Sequence, residues 1–245
     1  MKTYLSILMM LISAVFLTAQ DNAPAERTET VKKEAPAAAK EPENKSDSPV
    51  IAQGLSDDEA LDELTKAIRI GNSERTAAIL DTYPKVLNKK DKFGHTPLYN
   101  AIFANQYLVV EVLLKKKADI KLVNVNGDAP IHRAAQTGNV KILELLLKSG
   151  SSVWTANAKG ESPLAKAASA GQLDAVKFLL KNNAEINTGD AKGDTPLHKA
   201  AIKGEADIVK FLLENRADSS IKNKEGQKAV DLAKSPEVKD LFPAK

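Results

Sequence analysis

The sequence predicts an all-α fold, a solenoid of helix-turn-helix units with β-turn tips. Three observations predict it. Gly94, Gly127, Gly160, Gly193 and Gly226 recur every 33 residues, and Pro97, Pro130, Pro163 and Pro196 keep the same step. Ala101, Ala134, Ala167, Ala200 and Ala233, and Leu113, Leu146, Leu179 and Leu212, form two further ladders in that register. A fixed period of this length marks stacked supersecondary units, none of which can bury its apolar face alone. Aromatic residues are only 4 % of the chain, so the core must be built from Leu, Ile, Val and Ala, as closely stacked helices allow.

The unit is clearest at Gly193-Asp194-Thr195-Pro196-Leu197-His198-Lys199-Ala200-Ala201. Thr195 caps a helix whose first residue is Pro196, where the missing N–H is no loss. Ala200 and Ala201 let neighbouring helices approach. Gly204 ends the helix in a left-handed conformation, as Gly138 and Gly171 end theirs, and Asn105 stands in for glycine in the first full unit. A second helix follows, with Ile208, Phe211 and Leu212 as its expected buried stripe, repeated at Ile142, Leu145, Leu146 and at Val109, Val112, Leu113. After the second helix Gly150 and Asn183 suit a turn, whereas Lys117 and Arg216 do not, and those two loops are expected to be strained or locally different.

Thr195-Pro196-Leu197-His198 resembles the ankyrin family, whose signature is T-P-L-H-x-A at this period. Thr96-Pro97-Leu98-Tyr99, Ala129-Pro130-Ile131-His132 and Ser162-Pro163-Leu164-Ala165 are the other copies. The resemblance covers about residues 56–235. It gives ankyrin repeats at 91–123, 124–156, 157–189 and 190–222, between an N-terminal capping repeat at 56–90 and a C-terminal capping repeat at 223–245. Ser56 and Glu59 have capping-box spacing at the start of the first cap.

Residues 1–19 have the layout of a signal peptide: Lys2, an apolar run over 4–17 broken by Ser6 and Ser13, then Thr18-Ala19-Gln20. Cleavage after Ala19 is expected. An uncleaved anchor is the alternative, although a span needs about 20 apolar residues. Residues 20–55 read as a disordered linker, with Pro24, Pro36, Pro42, Pro49 and almost no large apolar residues. Asn44-Lys45-Ser46 fits a glycosylation acceptor by pattern alone.

No catalytic, metal or cofactor site is expected. The chain has no cysteine, which removes thiolate chemistry and a lipid anchor on such a residue. The resemblance makes His132 and His198 structural, bonded to the backbone of the adjacent hairpin, and His95 reads as surface. The net charge of +3 is too even to imply nucleic acid. Asp128, Glu161 and Asp194 form an acidic ladder with a local use at helix N-termini. Arg133, Lys166 and Lys199 form a basic one with none apparent, expected in the concave groove.

By resemblance, the partner is a protein, bound through turn tips and the inner faces of first helices. Those positions hold Lys92, Phe93, His95 and Phe103 in the first full repeat. Val125, Asn126, Asp128 and Arg133 hold them in the second, and Lys159, Lys166, Lys192, Lys199 and Ile202 in the later ones. Phe103 is either an exposed anchor beside Phe93 or packs under the cap. Trp154 either packs on the neighbouring repeat or contacts ligand. The chain is expected in the periplasm or secreted, without stable membrane insertion after cleavage. As implied by resemblance to signal-bearing bacterial ankyrin proteins, it is a scaffold for a periplasmic partner or, alternatively, a secreted effector of a host protein.

Overall fold

A computed structural model describes residues 51–243, and the expected signal peptide and most of the expected linker lie outside them. The first pair of helices is α1 (Asp57–Ile70) and α2 (Ser73–Thr82), followed by a 3-10 turn at Pro84–Asn88. Four similar pairs follow: α3 (Pro97–Phe103) with α4 (Tyr107–Lys115), α5 (Pro130–Thr137) with α6 (Val140–Lys148), α7 (Pro163–Ser169) with α8 (Leu173–Lys181), and α9 (Pro196–Lys203) with α10 (Ala206–Glu214). The last pair is short, α11 (Ala229–Leu232) and α12 (Pro236–Asp240). Among the described residues there is no strand, only one isolated bridge between Lys222 and Lys228.

The caps form as their chemistry dictates. The Ser56 backbone N–H donates to Glu59 at 2.8 Å while the Glu59 N–H donates to the Ser56 hydroxyl at 3.3 Å, a closed capping box. The Thr96 and Ser162 hydroxyls accept the N–H groups of Tyr99 and Ala165, each at 3.2 Å. Proline occupies the first position of α3, α5, α7 and α9.

First helices stack on one another in chain order, and second helices form an outer row against them. Ala101, Ala134, Ala167 and Ala200 are fully buried between first helices, where a larger side chain would force the row apart. The outer stripe differs from the expected one. Ile142, Leu143 and Leu146, and Ile208, Val209 and Leu212, are buried, whereas Leu145 and Phe211 are only half-buried. An outer helix packs on its own first helix and also on the outer helices of adjacent units. Its apolar face is therefore broader and rotated relative to a single i, i+3, i+4 row.

The loops after the second helices keep one geometry whatever residue they hold. Gly150 has φ 96°, and Lys117, Asn183 and Arg216 have φ 65°, 63° and 67°. Backbone bonds complete the motif at Lys117, whose N–H reaches Leu114, while the N–H of Ala118 reaches Leu113 at 3.0 Å. Lys117 and Arg216 thus carry the strain expected of them instead of escaping it by a different turn. At the tips, Gly127 has φ 74°, and a Cβ there would lie 2.4 Å from the Ala158 nitrogen of the next tip. Glycine is needed for both reasons.

Candidate functional site: a concave groove of aromatic and cationic residues

Each tip is built by a side chain one period apart from the next: Asp91, Asn124, Asn157, Asp190 and Asn223. In each, Oδ1 accepts two backbone N–H groups, those two and four residues on. Examples are Phe93 at 2.8 Å and His95 at 2.9 Å for Asp91, and Lys159 and Glu161, both at 2.9 Å, for Asn157. Sequence reasoning missed this ladder, although the same period would have found it. Two main-chain bonds tie later tips together, from Ala191 N–H to the Lys159 carbonyl and from Lys224 N–H to the Lys192 carbonyl, both 2.9 Å. Among the described residues no such bond joins the tips of the first and second full repeats.

The histidines of the tetrapeptide bond to the next hairpin. His132 Nδ1 accepts the Ala129 N–H at 3.1 Å, which leaves Nε2 to donate to the carbonyls of Thr155 at 3.0 Å and Glu161 at 3.1 Å. His198 Nε2 meets the Gln227 carbonyl at 3.1 Å. Burial holds the His132 pKa below the ordinary imidazole value, against the pull of Asp128.

The basic ladder does have a local reason, contrary to expectation. Lys166 lies 3.4 Å from Asp128 and 3.6 Å from Glu161. Lys199 lies 2.6 Å from Asp190 and 3.5 Å from both Glu161 and Asp194. Each lysine bridges the carboxylates of its own tip and the preceding one. Asp128 is 4 % exposed and also accepts from Asn157 at 2.7 Å. Asp128 is therefore corrected from a surface contact to a buried strut. Lys166 and Lys199 are likewise occupied within the stack and not displayed free in the groove.

The first full repeat breaks this pattern. His95 stands where the next three tips have a carboxylate, and Tyr99 where two other units have His. His95 is half-buried, correcting the surface reading: its ring stacks on Tyr99 with centroids 4.6 Å apart and 15° between planes, and Phe93 lies 5.9 Å from it. Burial raises the Tyr99 pKa, against the opposing pull of Arg133. Phe93 and Phe103 are 56 % and 63 % exposed, so Phe103 does not pack under the cap. Together with Thr65, Ile68 and Arg69 of α1, and with Asp91, His95 and Arg133, they line a groove of about 720 Å³. Burial pushes the Asp91 pKa up, but bonds from Asn100 and from the backbone of His95 and Phe93 outweigh it and hold the carboxyl below its ordinary value.

Lys92 sits over the Phe93 ring at 5.1 Å. Val125, at 76 % exposure, and Asn126 project from the second tip, and Lys159 and Lys192 from the next two. Ile202 is half-buried and lines a separate hollow with Lys159, Lys192 and Lys199. The structure thus gathers Phe93, His95, Phe103 and Arg133 and leaves the other expected residues apart from that groove. Trp154 lies outside it, 62 % exposed, with its Nε1–H donating to the Asn183 carbonyl at 2.9 Å. Among the described residues no group of three or more His, Asp or Glu side chains is arranged to hold a metal ion, and no helix is long and apolar enough to cross a membrane.

Fold and groove together define a helical-repeat solenoid with a groove at its first full repeat. A family model described as ankyrin repeats (three copies) matches residues 64–157 and 131–225, most of the chain. The chain belongs to the ankyrin-repeat family, whose members are generally protein–protein interaction modules. A search of curated proteins found no match.

Proposed function

We propose that this chain is a non-catalytic binding module, exported to the periplasm or cell exterior, that docks a protein partner on its concave face and turn tips. The observation that carries the docking site is the pair Phe93 and Phe103, both more than half exposed beside one groove in a chain with few aromatics. Apolar rings left in water flanking a concavity, with Arg133 stacked on one of them at 4.8 Å, are the composition of interface anchors. The Asp91 carboxylate in the groove builds the turn, and His132 and His198 hold hairpins, so these groups have structural work that needs no substrate. Export is supported by Lys2, the apolar run over 4–17 and the small residues before Gln20.

The test is affinity capture from the native compartment with the wild-type chain and with Phe93→Ala/Phe103→Ala. Loss of specific partners from the double variant is expected, and an unchanged set of captured proteins refutes the anchor. Mass spectrometry of the purified chain should find an N-terminus at Gln20 in the periplasm or the medium. An intact Met1 chain confined to the cytoplasm refutes export.

A further inference from the structure

The basic ladder has one member out of step. Lys166 and Lys199 each sit between the carboxylates of two successive tips. For Arg133 the corresponding groups are Asp128 and, on the preceding tip, His95. Asp128 is occupied by Asn157 and Lys166, and His95 offers no carboxylate. Among the described residues Arg133 makes no ion pair. Its guanidinium lies instead over the rings of Tyr99 and Phe103, at 5.0 and 4.8 Å from their centroids, and its Nε–H donates to the Tyr99 hydroxyl at 3.1 Å. Arg69, on the α1 side of the same groove, likewise makes no ion pair among the described residues.

A guanidinium carries five N–H donors in a planar fork that matches a carboxylate. Stacking on two rings holds that fork in place before any ligand arrives, which reduces the entropy lost on binding. Asp91, the carboxylate in the groove wall, has Oδ1 filled by two N–H groups and Oδ2 by the Asn100 amide at 3.1 Å. The wall therefore presents two cations outside any ion pair among the described residues, Arg133 against the buried Tyr99 ring and the exposed Phe103 ring, and Arg69 on the α1 side.

We infer that this groove takes a segment of the partner protein in which an Asp or Glu carboxylate sits beside a large apolar side chain. The carboxylate pairs with Arg133, and the apolar group rests between Phe93 and Phe103. The inference rests on the protein-docking reading above and adds the chemistry of the bound segment.

Selection of a random peptide library on the purified chain tests it. Enriched peptides should carry Asp or Glu within one or two residues of Phe, Trp, Leu or Ile. A synthetic copy of the best should bind Arg133→Gln at least about ten-fold more weakly, as expected for hydrogen bonds to a charged group. Arg133→Glu should select no acidic peptides, and Lys210→Gln, exposed on the outer helix α10 away from groove and tips, should bind like wild type. Circular dichroism confirms that each variant is folded, and Arg133→Lys, which keeps charge but not the fork, should fall between wild type and Gln. Peptides that need Phe93 and Phe103 but show no acidic preference, or that bind Arg133→Gln unchanged, overturn the carboxylate inference and leave protein docking standing. Absence of any enrichment, or binding indifferent to Phe93→Ala/Phe103→Ala, overturns both.

Discussion

Lys199→Met should destabilise the later repeats in a pH-dependent way. The ammonium meets Asp190 at 2.6 Å and Glu161 and Asp194 at 3.5 Å, and its side chain is only 15 % exposed. Methionine keeps the stem and removes the charge, leaving three carboxylates facing one another. Removing one partner of a buried ion pair costs about 3–5 kcal/mol. The ammonium borders the open hollow that Ile202 also lines, so a smaller loss, about 2–4 kcal/mol, is expected at neutral pH. For a domain of this size that lowers the melting temperature by roughly 4–16 °C. Burial pushes the Asp190 and Glu161 carboxyls up, but hydrogen bonds and the lysines, Lys199 on Asp190 and both Lys166 and Lys199 on Glu161, outweigh it and hold them below their ordinary values of 3.8 and 4.5. Groups with depressed folded pKa values contribute stability above those ordinary values and lose it as pH falls through the folded ones. Burial lowers the Lys199 pKa, but the carboxylates win and raise it above 10.5, so its contribution is present below that value and fades as pH rises through the folded one. The gap between wild type and variant should therefore be full from about pH 4.5 to 10.5 and shrink in stronger acid. Thermal unfolding followed by circular dichroism at pH 7 and pH 3 reads both. Equal melting temperatures at pH 7, or a gap that widens in acid, would refute this account of the network.

Two further outcomes concern the turns and the tips. Lys117→Gly and Arg216→Gly should each stabilise the fold by about 0.5–1 kcal/mol, because relief of about 1–2 kcal/mol of left-handed strain exceeds the backbone entropy of glycine; denaturant midpoints below wild type would contradict this. Asn157→Asp puts a carboxylate against Asp128 and Glu161, which its amide now reaches at 2.7 and 2.9 Å. It should cost about 2–3 kcal/mol at pH 7 and less at pH 4, and urea titrations showing no loss at pH 7 would count against it.

The stack was legible in the sequence because its determinants are local and repeated. Proline after Thr or Ser, glycine at the tip and alanine between helices each impose a conformation within a few residues, and the 33-residue step multiplies the signal. What escaped depends on neighbours. Lys117 and Arg216 adopt φ 65° and 67° because stacking dictates the turn, not because their own preferences favour it. The purpose of Lys166 and Lys199 appears only when successive tips lie side by side and bring Asp128 and Glu161 within reach. Phe93, His95 and Phe103 were recognisable from departures at variable positions. Thr65, Ile68 and Arg69 were not, since α1 lacks the repeat signature and faces the groove only through packing. The Asx ladder was available to the period and overlooked.

The main-chain bonds from Ala191 to Lys159 and from Lys224 to Lys192 make the far end of the molecule a ruler, its projections spaced by the backbone itself. The projections bearing Phe93 and Val125 are joined differently, by the Lys90 ammonium donating to the Val123 carbonyl at 2.7 Å. Their spacing is thus set through a side chain, and a substitution at Lys90 would loosen that end of the row while leaving the backbone-spaced projections at the other end as they are.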